Sequence, residues 1–157
     1  MKIVNIRIDE RLIHGQVATA WTQNLNPNRI MVIDSAAVKD DIQKMALKMA
    51  CPGGVKLSVL SPKKAAENLK NGKYEGEKVF IVVKNPASLR EAYDNGFAFD
   101  AVNVGNMSVR GECKKICKSV NVNAEDIENF RYLADKGVKV TAQMVPSDPA
   151  VDLLAQL

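Results

Sequence analysis

The segment 79–83, Val-Phe-Ile-Val-Val, constrains the fold more than any other part of the chain. Five apolar residues in a row, four of them β-branched, leave no polar face for solvent. A strand made from them must be covered on both sides, which places it at the centre of a parallel sheet. The flanking sequence supplies what such a sheet needs. Less continuously apolar runs at 3–8, 29–34, 55–60, 101–104 and 138–145 read as further strands. Between them lie stretches with apolar residues at helical spacing. Val17, Ala20, Trp21 and Leu25 share one face, and Ile42, Met45, Ala46 and Met49 share another over 39–49. Helices are also expected after Ser61–Pro62, Asn85–Pro86 and Asn123, where a capping side chain stands ahead of the first turn. Asn71–Gly72, Asn95–Gly96 and Lys136–Gly137 close them. A short terminal helix is expected from Ser147–Asp148–Pro149 through Leu153 and Leu154. Only 110–122 is ambiguous: Cys113, Ile116, Cys117 and Val120 have helical spacing, yet the segment also suits an irregular edge strand.

Strands alternating with helices make βαβ units. Right-handed crossovers then give an α/β fold: an open, mostly parallel sheet with helices on both faces. With 157 residues, 25% charged and 46% hydrophobic, the chain suits one globular domain over 1–157. Lysines and arginines exceed acidic residues by 4. This mild surplus fits an acidic protein partner or an anionic substrate and does not indicate nucleic acid. Three cysteines without a CxxC pair argue for a reducing compartment. No apolar run has the length of a signal peptide or a membrane span, so the expectation is a soluble, cytoplasmic chain.

In an open α/β sheet, chemistry gathers where strand C-termini feed loops and helix N-termini. His14, the single histidine, stands just past the first strand and at the start of the first helix. An imidazole is a nucleophile at neutral pH and a good leaving group once phosphorylated. A helix N-terminus favours an anion. Gly15 lets a phosphate approach the backbone. Arg11 can grip phosphate oxygens with two donors. Asp9 can hydrogen-bond the imidazole or steady Arg11. Bland readings compete: a lone histidine is more often a satisfied surface group, and Asp9–Glu10–Arg11 reads equally as a solvated loop. Asp34–Ser35 and Lys84–Asn85 fall at strand ends on the same rim, where helix capping explains them as well. No GxGxxG or GxxxxGK[ST] is present, so a nucleotide donor has no support. One histidine and scattered cysteines make a poor metal site, and Cys113 and Cys117 read as small buried apolar residues.

The segment 7–17, Arg-Ile-Asp-Glu-Arg-Leu-Ile-His-Gly-Gln-Val, closely resembles the active-site segment of enzyme IIB in the mannose/fructose/sorbose family of phosphoenolpyruvate-dependent sugar phosphotransferase systems. The resemblance extends to 37–52, to 102–107 (Val-Asn-Val-Gly-Asn-Met) and to 123–140. It implies a sheet of about seven strands. It also implies that His14 accepts a phosphoryl group, on Nδ1, from a phosphohistidine of the IIA component. The group would then pass to a sugar held by the membrane components IIC and IID, with no metal or cofactor. Arg11 and Asp9 would support the histidine. Gly15, Gln16, Glu10, Gly105 and Asn106 would bind or support the phosphate. The chain would sit in the cytoplasm against its transporter. Two positions depart from the family pattern: Glu10 replaces a second aspartate, and Asn106 replaces the second of two glycines. These departures keep two other readings open, a regulatory module that signals its phosphorylation state and a small-molecule enzyme using His14 as general base.

Overall fold

The computed structural model describes residues 1–157. In chain order, β1 (Lys2–Asp9) leads through a loop into a π-helical turn, Val17–Trp21, which continues as α1 (Thr22–Leu25). Then follow β2 (Arg29–Ile33), α2 (Ser35–Val38), α3 (Asp41–Ala50), β3 (Lys56–Leu60) and α4 (Pro62–Lys70). The second half comprises β4 (Lys78–Val83), α5 (Pro86–Asp94), β5 (Ala101–Asn106), β6 (Lys114–Cys117), β7 (Val120–Val122), α6 (Ala124–Asp135), β8 (Lys139–Ala142), β9 (Val151–Asp152) and a final 3-10 turn, Leu154–Gln156. Seven strands form one sheet in the order β3-β2-β4-β1-β5-β8-β9, parallel except for β9.

As its composition requires, β4 lies between β1 and β2, and Val79 to Val83 are wholly buried. Two hydrophobic layers cover the sheet. The larger packs α4, α5 and α6 through Ala65, Leu69, Leu89, Phe130 and Leu133. The smaller sets Leu12, Ile13, Val17, Trp21, Ala37 and Leu47 against the other face. Five helix starts are closed by side chains accepting backbone N–H bonds: Asp34, Asp40, Ser61, Asn85 and Asn123. Asn123 and Asp126 form a reciprocal capping box. The chain leaves β1 toward β2 but leaves β5 toward β8 on the other side, so a topological switch point opens between β1 and β5. That crevice is where such sheets place their ligands, and the His14 loop begins there.

The helix expected over about 39–49 is α3, which begins at Asp41 with the Asp40 carboxylate as its cap. Its apolar face points outward: Ile42 and Met49 are more than four-fifths exposed, and only Leu47 is buried. Periodicity identified the helix but not which face meets the core. The terminal helix is replaced by β9 and the 3-10 turn, because Leu153 N–H pairs with the Val140 carbonyl and draws the segment onto the sheet edge. The strand expected over 138–145 shrinks to four residues, since Gln143 and Met144 turn their carbonyls to a buried arginine. The ambiguous segment 110–122 takes its strand reading, as an antiparallel hairpin of β6 and β7 over 114–122, and Cys113 and Cys117 are partly rather than fully buried.

Candidate functional site

Within β1, Arg7 and Asp9 point to one face, two residues apart, alternating with the apolar Ile6 and Ile8. Both side chains are fully buried. After Asp9 the chain turns sharply: Leu12 N–H bonds the Asp9 carbonyl at 2.9 Å, and Leu12 adopts φ 58. A left-handed backbone is unfavourable for leucine and persists only where packing holds it. Here the Leu12 side chain is 1% exposed and anchored in the smaller core layer. This turn raises His14 to the rim. The Ala18 N–H bonds the His14 carbonyl at 2.7 Å, the first rung of the helix, so the N–H groups of Gly15, Gln16 and Val17 precede the ladder.

Asp9 is the hub. Its Oδ2 lies 2.9 Å from His14 Nε2. Its Oδ1 accepts from the Arg11 backbone N–H at 3.2 Å and from Arg11 Nε at 3.3 Å. Arg7 Nη2 approaches Oδ2 at 3.4 Å. The His14 side chain is 18% exposed and Arg11 is 44% exposed. One ring edge of the histidine is therefore held from below while the other faces the rim. The Nη groups of Arg11 have no protein partner.

Sequence reasoning did not single out Arg7, although an arginine inside an apolar strand is a visible signal. Its Nη1 donates to Asn103 Oδ1 at 2.6 Å and to the Gln143 carbonyl at 2.9 Å, and its Nη2 donates to the Met144 carbonyl at 2.9 Å. The guanidinium lies 4.6 Å from the Trp21 ring centroid, and Trp21 Nε1 donates to the same Met144 carbonyl. Burial lowers the Arg7 pKa from its ordinary value to about 10, opposed by Asp9. One arginine thus ties the end of β1 to β5 and to the segment after β8.

The remaining expected residues fall as follows. Gly105 and Asn106 lie inside β5 rather than beyond it. A β-carbon on Gly105 would stand 1.9 Å from Arg7 Nη2, so the buried guanidinium alone demands glycine there. Asn106 pairs with Asp9 across the strands, and its carbonyl accepts from Glu10 N–H at 3.1 Å; its backbone is not left-handed. No contact is made by the Glu10 carboxylate. Nothing lies within 4 Å of an added β-carbon on Gly15. Gln16 Oε1 is buried without a partner. Asp34 and Asn85 spend their side chains on caps. Burial raises the thiol pKa of Cys51 and of Cys117, which disfavours thiolate at neutral pH. No helix is long and apolar enough to cross a membrane.

The same chain matches known proteins along its whole length. The family described as PTS system sorbose subfamily IIB component matches residues 3–157. The sorbose-specific EIIB component of Lacticaseibacillus casei is 38% identical over 157 residues, covering 100% of this chain and 96% of that protein. The mannose-specific EIIAB component of Escherichia coli K12 is 35% identical over 148 residues, 94% of this chain but 46% of that longer protein. The crystal structure of the IIBSor domain of the sorbose permease from Klebsiella pneumoniae shares the fold with a TM-score of 0.93 at 36% identity, covering 99% of this chain and 96% of that one. With the rim geometry and a likeness of this extent in agreement, the chain belongs to the sorbose-subfamily IIB components of the sugar phosphotransferase system.

Proposed function

We propose that His14 is the phosphoryl acceptor and donor of this component, and that the group enters and leaves on Nδ1. One observation carries the reading: the 2.9 Å contact between His14 Nε2 and Asp9 Oδ2. An ionised carboxylate only accepts, so Nε2 carries the ring proton and Nδ1 keeps its lone pair. The lone pair is the nucleophile. In the transfer, an N–P bond forms at Nδ1 as the donor's N–P bond breaks, with the two nitrogens in line. The positive charge gathered on the ring is offset by Asp9 below it. Arg11, with both Nη groups free at the rim, pairs with the equatorial phosphoryl oxygens. The N–H groups of the helix start add to that seat. In the onward step the Nδ1–P bond breaks as a sugar hydroxyl oxygen bonds to phosphorus; the hydroxyl proton goes to a base held beside the sugar, and His14 returns to neutral imidazole with its proton on Nε2.

The donor on this reading is a phosphohistidine of a IIA protein or domain. The mannose-specific relative, named as a joined EIIAB, supports that pairing. The sugar is held by membrane components of the same system, with this chain docked from the cytoplasmic side as a single phosphocarrier domain. The test is incubation with phosphorylated IIA followed by intact-mass analysis and NMR of the histidine. One acid-labile phosphoryl group on Nδ1, absent in His14→Ala, is expected. Equal labelling of His14→Ala ends the proposal; labelling at Nε2 ends the tautomer argument.

A further inference from the structure

The outward face of α3 has no role in the chemistry above. Ile42, Met45 and Met49 are 84%, 66% and 81% exposed, and Ala46 beside them is exposed too. At 3.6 residues per turn these four form one stripe, on the side of the helix away from the buried Leu47. Scattered exposed apolar residues need no explanation, but a continuous stripe on one helix marks a contact surface.

The charges beside the stripe identify what covers it. Asp41 stands at the first turn of α3 and Lys48 in its last. They are seven residues apart, two full turns, so they share one flank of the stripe, about 10 Å from each other along the axis. Both are exposed, and Asp41 meets only Lys44, at 3.5 Å. Acid at one end and base at the other on the same flank is a self-complementary pattern. A two-fold axis crossing α3 near Met45 runs a second α3 antiparallel to the first. It brings Asp41 of each copy to Lys48 of the other, and Ile42 of each to Met49 of the other. In two-fold contacts residue i meets j and j meets i, and flanking charges set helix orientation. The antiparallel arrangement also opposes the two helix dipoles favourably. Lys44, between Asp41 and Lys48 on the same flank, is already engaged by Asp41 of its own helix. An anionic membrane would match Lys44 and Lys48 but oppose Asp41, and a partner surface of one sign would leave one end unmatched.

We propose that this face of α3 is a two-fold self-association surface, so that the chain forms a reversible homodimer through antiparallel α3 helices. A pair of ten-residue helices buries less than the roughly 1,200 Å² of a stable interface, so the dimer is weak and forms at high local concentration. The His14 site lies on another element and takes no part in it.

Sedimentation equilibrium of the full chain from about 10 μM to about 1 mM tests this directly. Wild type is expected to show a monomer–dimer equilibrium, and Met45→Glu is expected to remain monomeric. Lys48→Glu and Asp41→Lys each place like charges together and weaken the dimer about tenfold or more. The double variant Asp41→Lys/Lys48→Glu restores the opposite pairing and regains most of the wild-type association. Circular dichroism and phosphorylation of His14 report that each variant is folded. Three results overturn the proposal: wild type monomeric throughout, a double variant no stronger than either single one, or loss of binding to vesicles or to another protein in Met45→Glu without any change in self-association.

Discussion

Two arginines stand at opposite ends of the sheet, each over an aromatic ring and each beside a carboxylate, and they are built differently. At the N-terminal end, Arg29 lies 4.8 Å from the Tyr74 ring centroid and grips Glu77 with two parallel bonds, Nε to Oε2 at 2.7 Å and Nη2 to Oε1 at 3.1 Å. Its third nitrogen donates to Ser58. Every donor group is used, and its pKa is raised by the bonds to Glu77. At the C-terminal end, Arg7 lies over Trp21 but touches Asp9 only once, at 3.4 Å, and its Nε is left without a partner. Burial pulls its pKa down. The first pair is arranged as a stabilising ion pair. The second spends its donors on backbone carbonyls and leaves the short bond of Asp9 Oδ2, at 2.9 Å, for His14. The comparison teaches that the carboxylate beneath the histidine is held in place by an arginine without being claimed by it.

The strongest way to break this contrast is to remove each guanidinium in turn. Arg7→Met leaves Asp9 buried beside only His14 and Arg11 and takes its donor from the Gln143 carbonyl, while the Met144 carbonyl keeps only Trp21 Nε1. It is expected to lower stability by about 3–5 kcal/mol, the range for breaking a buried pair. It should also slow phosphoryl uptake in whatever fraction remains folded. Arg29→Met should lose about 1–2 kcal/mol, because Glu77 keeps Lys56 at 3.2 Å and some access to water. Urea unfolding of both variants under one condition measures the difference. Equal losses would mean that Arg7 is an ordinary ion pair.

A smaller perturbation uses glycine. Gly105→Ala drives a β-carbon into the Arg7 guanidinium, and overpacking of this kind costs about 1–3 kcal/mol. Gly15→Ala has open space and an ordinary backbone, so its stability should stay within about 0.5 kcal/mol of wild type. The two glycines flank the same site and carry different burdens. Comparing unfolding midpoints separates a glycine required by packing from one that leaves room at the rim.

Much of this was legible before the structure. The run at 79–83 gave the central strand, and the capping residues gave the helix starts, because both signals are local. His14, Asp9 and Arg11 were legible because they sit within six residues of one another at a strand end. The role of Arg7 was not, since its partners Asn103 on β5 and Gln143 and Met144 after β8 are distant in sequence and only the sheet order brings them together. Gly105 shows the same limit: its sequence neighbours suggest a phosphate loop, while the atom that requires a glycine belongs to β1. The apolar stripe of α3 was legible but its direction was not, because periodicity finds two faces and cannot say which one the core takes when the inward one needs only Leu47.

The pH dependence sharpens the contrast with the smallest effect. The bonds to Arg29, with a further one to Lys56, hold the Glu77 carboxyl below its usual range. A carboxylate with a depressed folded pKa contributes stability above its unfolded value, near about 4.3, and loses it as the pH falls through the folded value. Arg7 has the same sign of slope in a different window. Its folded pKa of about 10 lies below the ordinary arginine value, so the unfolded chain binds more protons only in the alkaline range between the two. There its contribution rises with pH, and below about 10 it adds no slope. Acid should therefore test the Arg29 end of the sheet and not Arg7. Glu77→Gln should be less stable than wild type above the ordinary glutamate range, and the gap should narrow as the pH falls below that range and wild type also loses its charged carboxylate. A gap that stays constant across that range would show that Glu77 acts through packing rather than charge, and the two arginines would then differ less than their bonds suggest.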